Sequence, residues 1–108
     1  MTGAGRGIGA ALAAQLADHG YTVWVTARDL ESAEGTAAAI RSAGHRAHTL
    51  RIDLDDPASL ADAATALDGI QLDLLVNNAA RFADWSETAT TTDLDTARAV
   101  TSTNLFGS

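Results

Sequence analysis

The chain reads as an α/β fold built around a parallel sheet, and three observations point there. A glycine-rich turn, Gly3-Ala4-Gly5-Arg6-Gly7-Ile8-Gly9, runs straight into a helical pattern. Helical and strand-like stretches then alternate in the order α-β-α-β-α-β-α, the pattern of βαβ units with right-handed crossovers. Residues 70–76 are almost continuously apolar, as expected of a parallel strand covered on both faces.

Each element has a local reason. In the first helix Ile8, Leu12, Gln15/Leu16 and His19 fall about one turn apart, and Gly20 supplies the stop. Residues 21–27 are rich in aromatic and β-branched side chains and read as a strand. The second helix carries Leu30, Ala33, Ala37 and Ile40 on one face and ends at Gly44. Residues 45–53 form the next strand, with Leu50 and Ile52 on one side. Asp56-Pro57 is an N-cap followed by proline at the first helical position. The helix it opens presents Leu60, Ala63/Ala64 and Leu67 and stops at Gly69. Residues 70–76 are the third strand, closed by Asn77-Asn78-Ala79-Ala80. A loop follows to about residue 91, its end rich in threonine (Thr88, Thr90, Thr91, Thr92) and read as a solvated connection. The last helix starts near Asp93, with Leu94, Ala97, Val100/Thr101 and Leu105 on one face. That makes three strands and four helices, with no repeat, linker or second domain, so residues 1–108 read as one partial domain.

Composition excludes several functions. With 46% apolar and 19% charged residues the chain is of soluble globular type. A net charge of −7 argues against nucleic-acid phosphates or an anionic membrane as partner. The absence of cysteine removes disulfides and thiolate metal sites and accords with a cytoplasmic location. No apolar run reaches membrane-spanning length, and the first residues show no signal-peptide pattern. His19, His45 and His48 have no companion ligands at metal spacing, so no metal site is expected.

The chemistry sits in the glycine turn. A turn of this kind at a helix N-terminus binds anions, because unpaired N–H groups and the helix dipole point at the same spot. In an α/β unit the natural anion is a pyrophosphate. Gly5-Arg6-Gly7-Ile8-Gly9-Ala10 fits the generic dinucleotide fingerprint. Thr2-Gly3-x-x-x-Gly7-x-Gly9 fits a second spacing, and this form resembles the cofactor loop of the short-chain dehydrogenase/reductase family.

Further stretches extend the resemblance along the chain in the family's order. Arg28 stands at the end of the strand expected over residues 21–27, after Ala27, where NAD-using members carry a carboxylate for the ribose 2′-OH. Asp53-Leu54 matches the strand end beside the adenine ring. Leu72-Asp73-Leu74-Leu75-Val76-Asn77-Asn78-Ala79-Ala80 resembles the family's N-N-A-G strand end, with Ala80 in place of glycine. Asn104-Leu105-Phe106-Gly107 matches its N-x-x-G. The resemblance implies a partial doubly wound (Rossmann) sheet whose first strand precedes Thr2 and is missing here, leaving the strands on either side of it without their shared partner. It implies that Thr2, Gly3, Arg6, Gly7, Ile8, Gly9, Arg28, Asp53, Leu54, Asn78 and Ala79 bind the cofactor, and that Asn104 supports a water in the proton relay.

Arg28 with Ala27 favours NADP(H), since a guanidinium can grip a 2′-phosphate, with NAD(H) as the other possibility; Val25-Thr26-Ala27-Arg28-Asp29 looks most like the carbonyl-reductase-like branch. Read without the resemblance, Arg28 has a lesser alternative as a solvated loop arginine, and Asp53 is equally a capping residue beside Asp55 and Asp56. The family's catalytic Ser and Tyr-x-x-x-Lys do not occur in these 108 residues, whose single tyrosine is Tyr21. The expectation is therefore the cofactor half of an oxidoreductase acting on small carbonyl or alcohol substrates, cut at both ends, inactive alone, and in its intact form a possible homo-oligomer. Phe82 and Trp85 would wall the substrate side. The alternative is a non-enzymatic nucleotide-binding or subunit-interaction remnant.

Overall fold

The computed structural model describes residues 1–81 and 93–106. In chain order it contains α1 (Gly7–Asp18), β1 (Val23–Ala27), α2 (Leu30–Ser42), β2 (Ala47–Arg51), α3 (Pro57–Ala66), α4 (Leu94–Thr101) and a π-helical turn (Ser102–Phe106). The helix boundaries follow local chemistry. Asp29 caps α2, Asp56 caps α3 with Pro57 just inside, and Asp93 caps α4. Gly20, Gly44 and Gly69 follow α1, α2 and α3 with φ of 93°, 91° and 75°, the left-handed turn that ends a helix.

β1 and β2 pair in parallel, from Val23 opposite Ala47 to Ala27 opposite Arg51, with α2 as the crossover. Trp24 lies opposite His48 and their rings stack at 4.7 Å. The core between this pair and α1 and α2 is made mainly of alanines: Ala13, Ala17, Ala33, Ala37 and Ala47 surround Val23, Val25 and Ile40. Small side chains let the helices approach the sheet closely, but they contribute little apolar area, at roughly 0.8 kcal/mol for each buried methylene.

The start of the chain takes the place beside β1. The Met1 nitrogen donates to the Trp24 carbonyl at 3.0 Å, and the Thr26 N–H donates to the Met1 carbonyl at 3.3 Å. This is a parallel bridge opposite Val25. Ala4 N–H then donates to the Thr26 carbonyl, and on the other side Thr2 N–H donates to the Val76 carbonyl at 2.9 Å. Residues 1–4 therefore lie between β1 and the Val76–Asn78 stretch. The expectation that the two flanking segments lose their shared partner is corrected: the short stretch before the helix meets both.

Two further expectations change. Residues 70–76 form no ladder, so among the described residues the sheet has two strands and not three. Leu72, Leu74 and Leu75 are exposed instead of covered on both faces. A strand gains pairing and burial from its neighbours, and among the described residues it is residues 1–4 that bond to this stretch, at Val76. The buried stripe of α1 is also displaced by one position, to Gly9, Ala13 and Ala17, while Ile8 is 81% exposed. The helix rests on its smallest side chains because its first turn presses against the backbone of residues 3–4. In α4 no residue is buried, and Leu94 and Leu105 stay exposed, so the expected apolar face is uncovered.

Candidate functional site

The glycine turn is held rigid from behind and open in front. Thr2 Oγ1 accepts from the Asn78 and Ala79 N–H groups at 3.0 and 3.1 Å. Asn78 Nδ2 donates back to the Thr2 and Gly3 carbonyls at 3.3 and 3.1 Å. The side-chain amide of Asn78 thus faces the turn itself. Gly9 is pinned into the same unit: a Cβ there would run into the Gly3 carbonyl and come within 2.7 Å of Asn78 Nδ2. Gly7 is the opposite case. Its φ is +56°, which favours glycine, and no atom lies within 4 Å of where a Cβ would stand. At the N-cap of α1, Arg6 is extended and its side chain makes no capping bond. The first N–H groups of a twelve-residue helix therefore lack a side-chain acceptor. Arg6 and Ile8 are exposed on either side of Gly7.

Arg28 follows β1 and is exposed. Among the described residues neither the Arg28 nor the Arg6 guanidinium has an ion-pair or hydrogen-bond partner. Asp29, next to Arg28, is committed elsewhere. Its carboxylate accepts from the Ser32 hydroxyl at 2.8 Å and from the Glu31 and Ser32 N–H groups. The Ser32 hydroxyl, then those two backbone donors, hold its pKa below the usual carboxylate value.

Asp53 stands just past β2, with its side chain 22% exposed. Its carboxylate accepts from Asp55 N–H at 3.2 Å and from Arg51 at 3.5 Å, while its own N–H donates to the buried Ser59 hydroxyl at 2.9 Å. The helix cap in this acidic run is Asp56, which accepts from Ala58 N–H and from Arg51. Arg51, then the backbone N–H groups of Ser59 and Ala58, holds the Asp56 carboxyl below its ordinary range. Leu54 is half-buried beside it.

The end of the described chain returns to this region. Asn104 lies in the π-helical turn, its Oδ1 accepting from Arg81 N–H and its Nδ2 donating to the Arg81 carbonyl, both at 2.6 Å. Thr103, 7% exposed, donates its hydroxyl to both Asp55 oxygens, at 2.8 and 2.9 Å. Arg81 Nη1 is 3.7 Å from the same carboxylate. Asp55, Thr103 and Arg81 were invisible as a group in the sequence, because nothing local relates residues 55 and 103. The structure therefore joins Thr2, Gly3, Gly9, Asn78 and Ala79 directly. Arg6, Gly7, Ile8 and Arg28 are exposed, while Asp53 and Leu54 stand just past β2. Phe82, Trp85, Thr88, Thr90, Thr91, Thr92 and Gly107 lie outside the described residues. A separate groove of about 500 Å³ between α1 and α2 is lined by small residues such as Ala10, Ala14 and Gly35. Its Asp18 and His45 side chains face each other at 2.8 Å, and it does not include Gly7 or Arg28.

The sequence pattern of the short chain dehydrogenases matches residues 1–108. The chain belongs to the short-chain dehydrogenase family. An uncharacterized oxidoreductase of Mycobacterium tuberculosis is 43% identical over 72% of this chain and 30% of its own length. A short-chain dehydrogenase of Penicillium roqueforti, anuI, is 39% identical over 99% of this chain and 43% of its own. Among solved structures, a metagenomic short-chain oxidoreductase in complex with NADP is similar with a TM-score of 0.85 and 34% identity, over 98% of this chain and 48% of that one. The chain thus spans less than half the length of these family members. The family is one of oxidoreductases that bind NAD(P) and act on small molecules, and the two-strand, four-helix body belongs to its Rossmann-type fold.

Proposed function

We propose that this chain is the cofactor-binding part of an oxidoreductase that takes NADP(H) in preference to NAD(H) and works on a small carbonyl or alcohol. One observation carries the reading: the uncapped N-terminus of α1 has Gly7 open at its start and the exposed Arg6 before it, and Arg28, just past β1, is exposed with no ion-pair or hydrogen-bond partner among the described residues. The residues present suit a dinucleotide. The α1 N–H groups and Gly7 would receive the pyrophosphate, as helix N-termini do. Ala27 offers no carboxylate for a 2′-OH, and the neighbouring Asp29 carboxylate is held by α2. Arg28, with Arg6 nearby in sequence to the phosphate cradle, would hold a 2′-phosphate through its planar donor fork. Asp53 and Leu54 would border the adenine, with Asn78 and Ala79 keeping the floor of the turn in place. When bound, the nicotinamide supplies or accepts the hydride. Asn104 would keep a relay water near the reacting carbonyl, and the proton donor would be a Ser and Tyr/Lys set that these residues do not include, so the chain alone is expected to bind without turnover.

The test is titration of the chain with NADPH and with NADH, repeated for Arg28→Ala. A lost charge-assisted hydrogen bond is worth about 1.5–3 kcal/mol. NADPH affinity is therefore expected to fall roughly ten- to a hundredfold in the variant, with NADH affinity little changed. A parent that prefers NADH, or a variant that keeps its NADPH preference, overturns the assignment. A second reading, a non-enzymatic subunit-interaction piece, is favoured by the exposed Leu72, Leu74 and Leu75; binding of neither dinucleotide would select it.

A further inference from the structure

We propose that Asp55 is a positioning residue that sets Asn104 through Thr103 and Arg81. The inference rests on the reading above only in giving Asn104 its place in the proton relay. The observation is a closed ring of four residues drawn from three separate segments. Asp55, in the turn between β2 and α3, receives the Thr103 hydroxyl on both of its oxygens. Asn104, the next residue along, holds Arg81 by its backbone N–H and carbonyl. The Arg81 guanidinium returns to the Asp55 carboxylate at 3.7 Å.

The ring matters because the rest of the last helix does little to place this turn. No residue of α4 is buried, whereas Thr103 is. The turn is π-helical, a geometry that widens the backbone and is often found at functional sites. Its hold on the body of the protein includes the buried Thr103 hydroxyl on the Asp55 carboxylate and the Asn104 side-chain amide on the Arg81 backbone. A hydroxyl bonded to an ionised acceptor is directional and strong. If it lets go, the Asn104 amide loses its register with Arg81, although neither Asn104 nor Arg81 has been altered. The Asp55 side chain accepts no bond from the glycine turn; its contact with Asp53 is made by its backbone N–H, which the side-chain variants leave in place.

The experiment follows the Arg81 amide by hydrogen exchange and the Asn104 side-chain NH2 resonances by NMR in the 108-residue chain. The variants are Thr103→Val, Thr103→Ser, Asp55→Ala and Asp55→Asn. Thr103→Val and Asp55→Ala are expected to speed Arg81 amide exchange about ten- to a hundredfold, the size of a lost hydrogen bond to a charged group. They should also shift the Asn104 NH2 pair, while the Val25 and Thr26 amides keep their parent rates. Thr103→Ser should restore the parent values, and Asp55→Asn, which keeps an acceptor but loses the charge, should fall between. Unchanged Arg81 exchange in Thr103→Val and Asp55→Ala overturns the proposal. So does acceleration of all amides together, which marks general loosening, or failure of Thr103→Ser to rescue. None of these readouts needs cofactor, so a failed NADPH titration sinks the functional reading and leaves this test standing.

Discussion

Thr2 shows how one hydroxyl can organise a site. It accepts two backbone N–H groups from residues 76 and 77 positions along the chain. Thr2→Val keeps the shape but leaves both donors unpaired. At about 0.5–1.5 kcal/mol for each hydrogen bond, stability is expected to fall by roughly 1–3 kcal/mol, read by urea denaturation, with the glycine turn displaced. An unchanged midpoint would mean the clasp is ornamental. Gly9→Ala tests the same joint by crowding instead of deletion. Its methyl would meet the Gly3 carbonyl and Asn78, and overpacking of this sort costs about 1–3 kcal/mol. Thr2, Gly3 and Gly9 stood out in the sequence because the turn needs those residue types. That Asn78 would close the turn from behind was not legible, since 75 residues separate it from Gly3.

The helices are secured at their starts by carboxylates, and this makes them pH-sensitive. Asp29, Asp56 and Asp93 each cap a helix, and each is held below its ordinary pKa. The first cause is the Ser32 hydroxyl for Asp29, Arg51 for Asp56 and the Thr96 N–H for Asp93. A depressed folded-state pKa means the caps stabilise fully above the unfolded value, about 3.9. Their contribution is lost as pH falls through the lower folded values. Far-ultraviolet circular dichroism should therefore show helix content steady from neutral pH to about 4 and falling below it. Asp29→Asn, which still accepts at a cap, should weaken that acid dependence. A helix signal flat to pH 2 would contradict the argument. Caps and stops were readable because they are local: an acceptor three residues before an N–H, a glycine after the last turn. The state of residues 70–76, expected as a strand, was not, because their apolar run says what would be buried and not which edge pairs with it.

At the scale of the whole molecule, the exposed Leu72, Leu74 and Leu75 lie in succession beside residues that form no ladder. An extended apolar segment with unpaired backbone is a template for association. The chain is expected to self-associate at tens of micromolar in sedimentation velocity, a loading on the order used to expose weak contacts. Leu72→Lys with Leu75→Lys should shift it toward monomer by adding charge where the contact forms. A monomer in the parent under those conditions would show that the run is covered in solution by the chain itself.

The sequence alone determined the α/β class, the helix ends and the glycine turn before α1, because each depends on groups within a few positions of one another. The tertiary structure decided the rest. It moved the buried face of α1 from Ile8 to Gly9, Ala13 and Ala17, since close approach to residues 3–4 admits only small side chains. It left residues 70–76 without a ladder, since a strand is defined by its neighbours. It also brought Asp55, Arg81, Thr103 and Asn104 into one ring, a contact between segments up to 49 positions apart that no local pattern encodes.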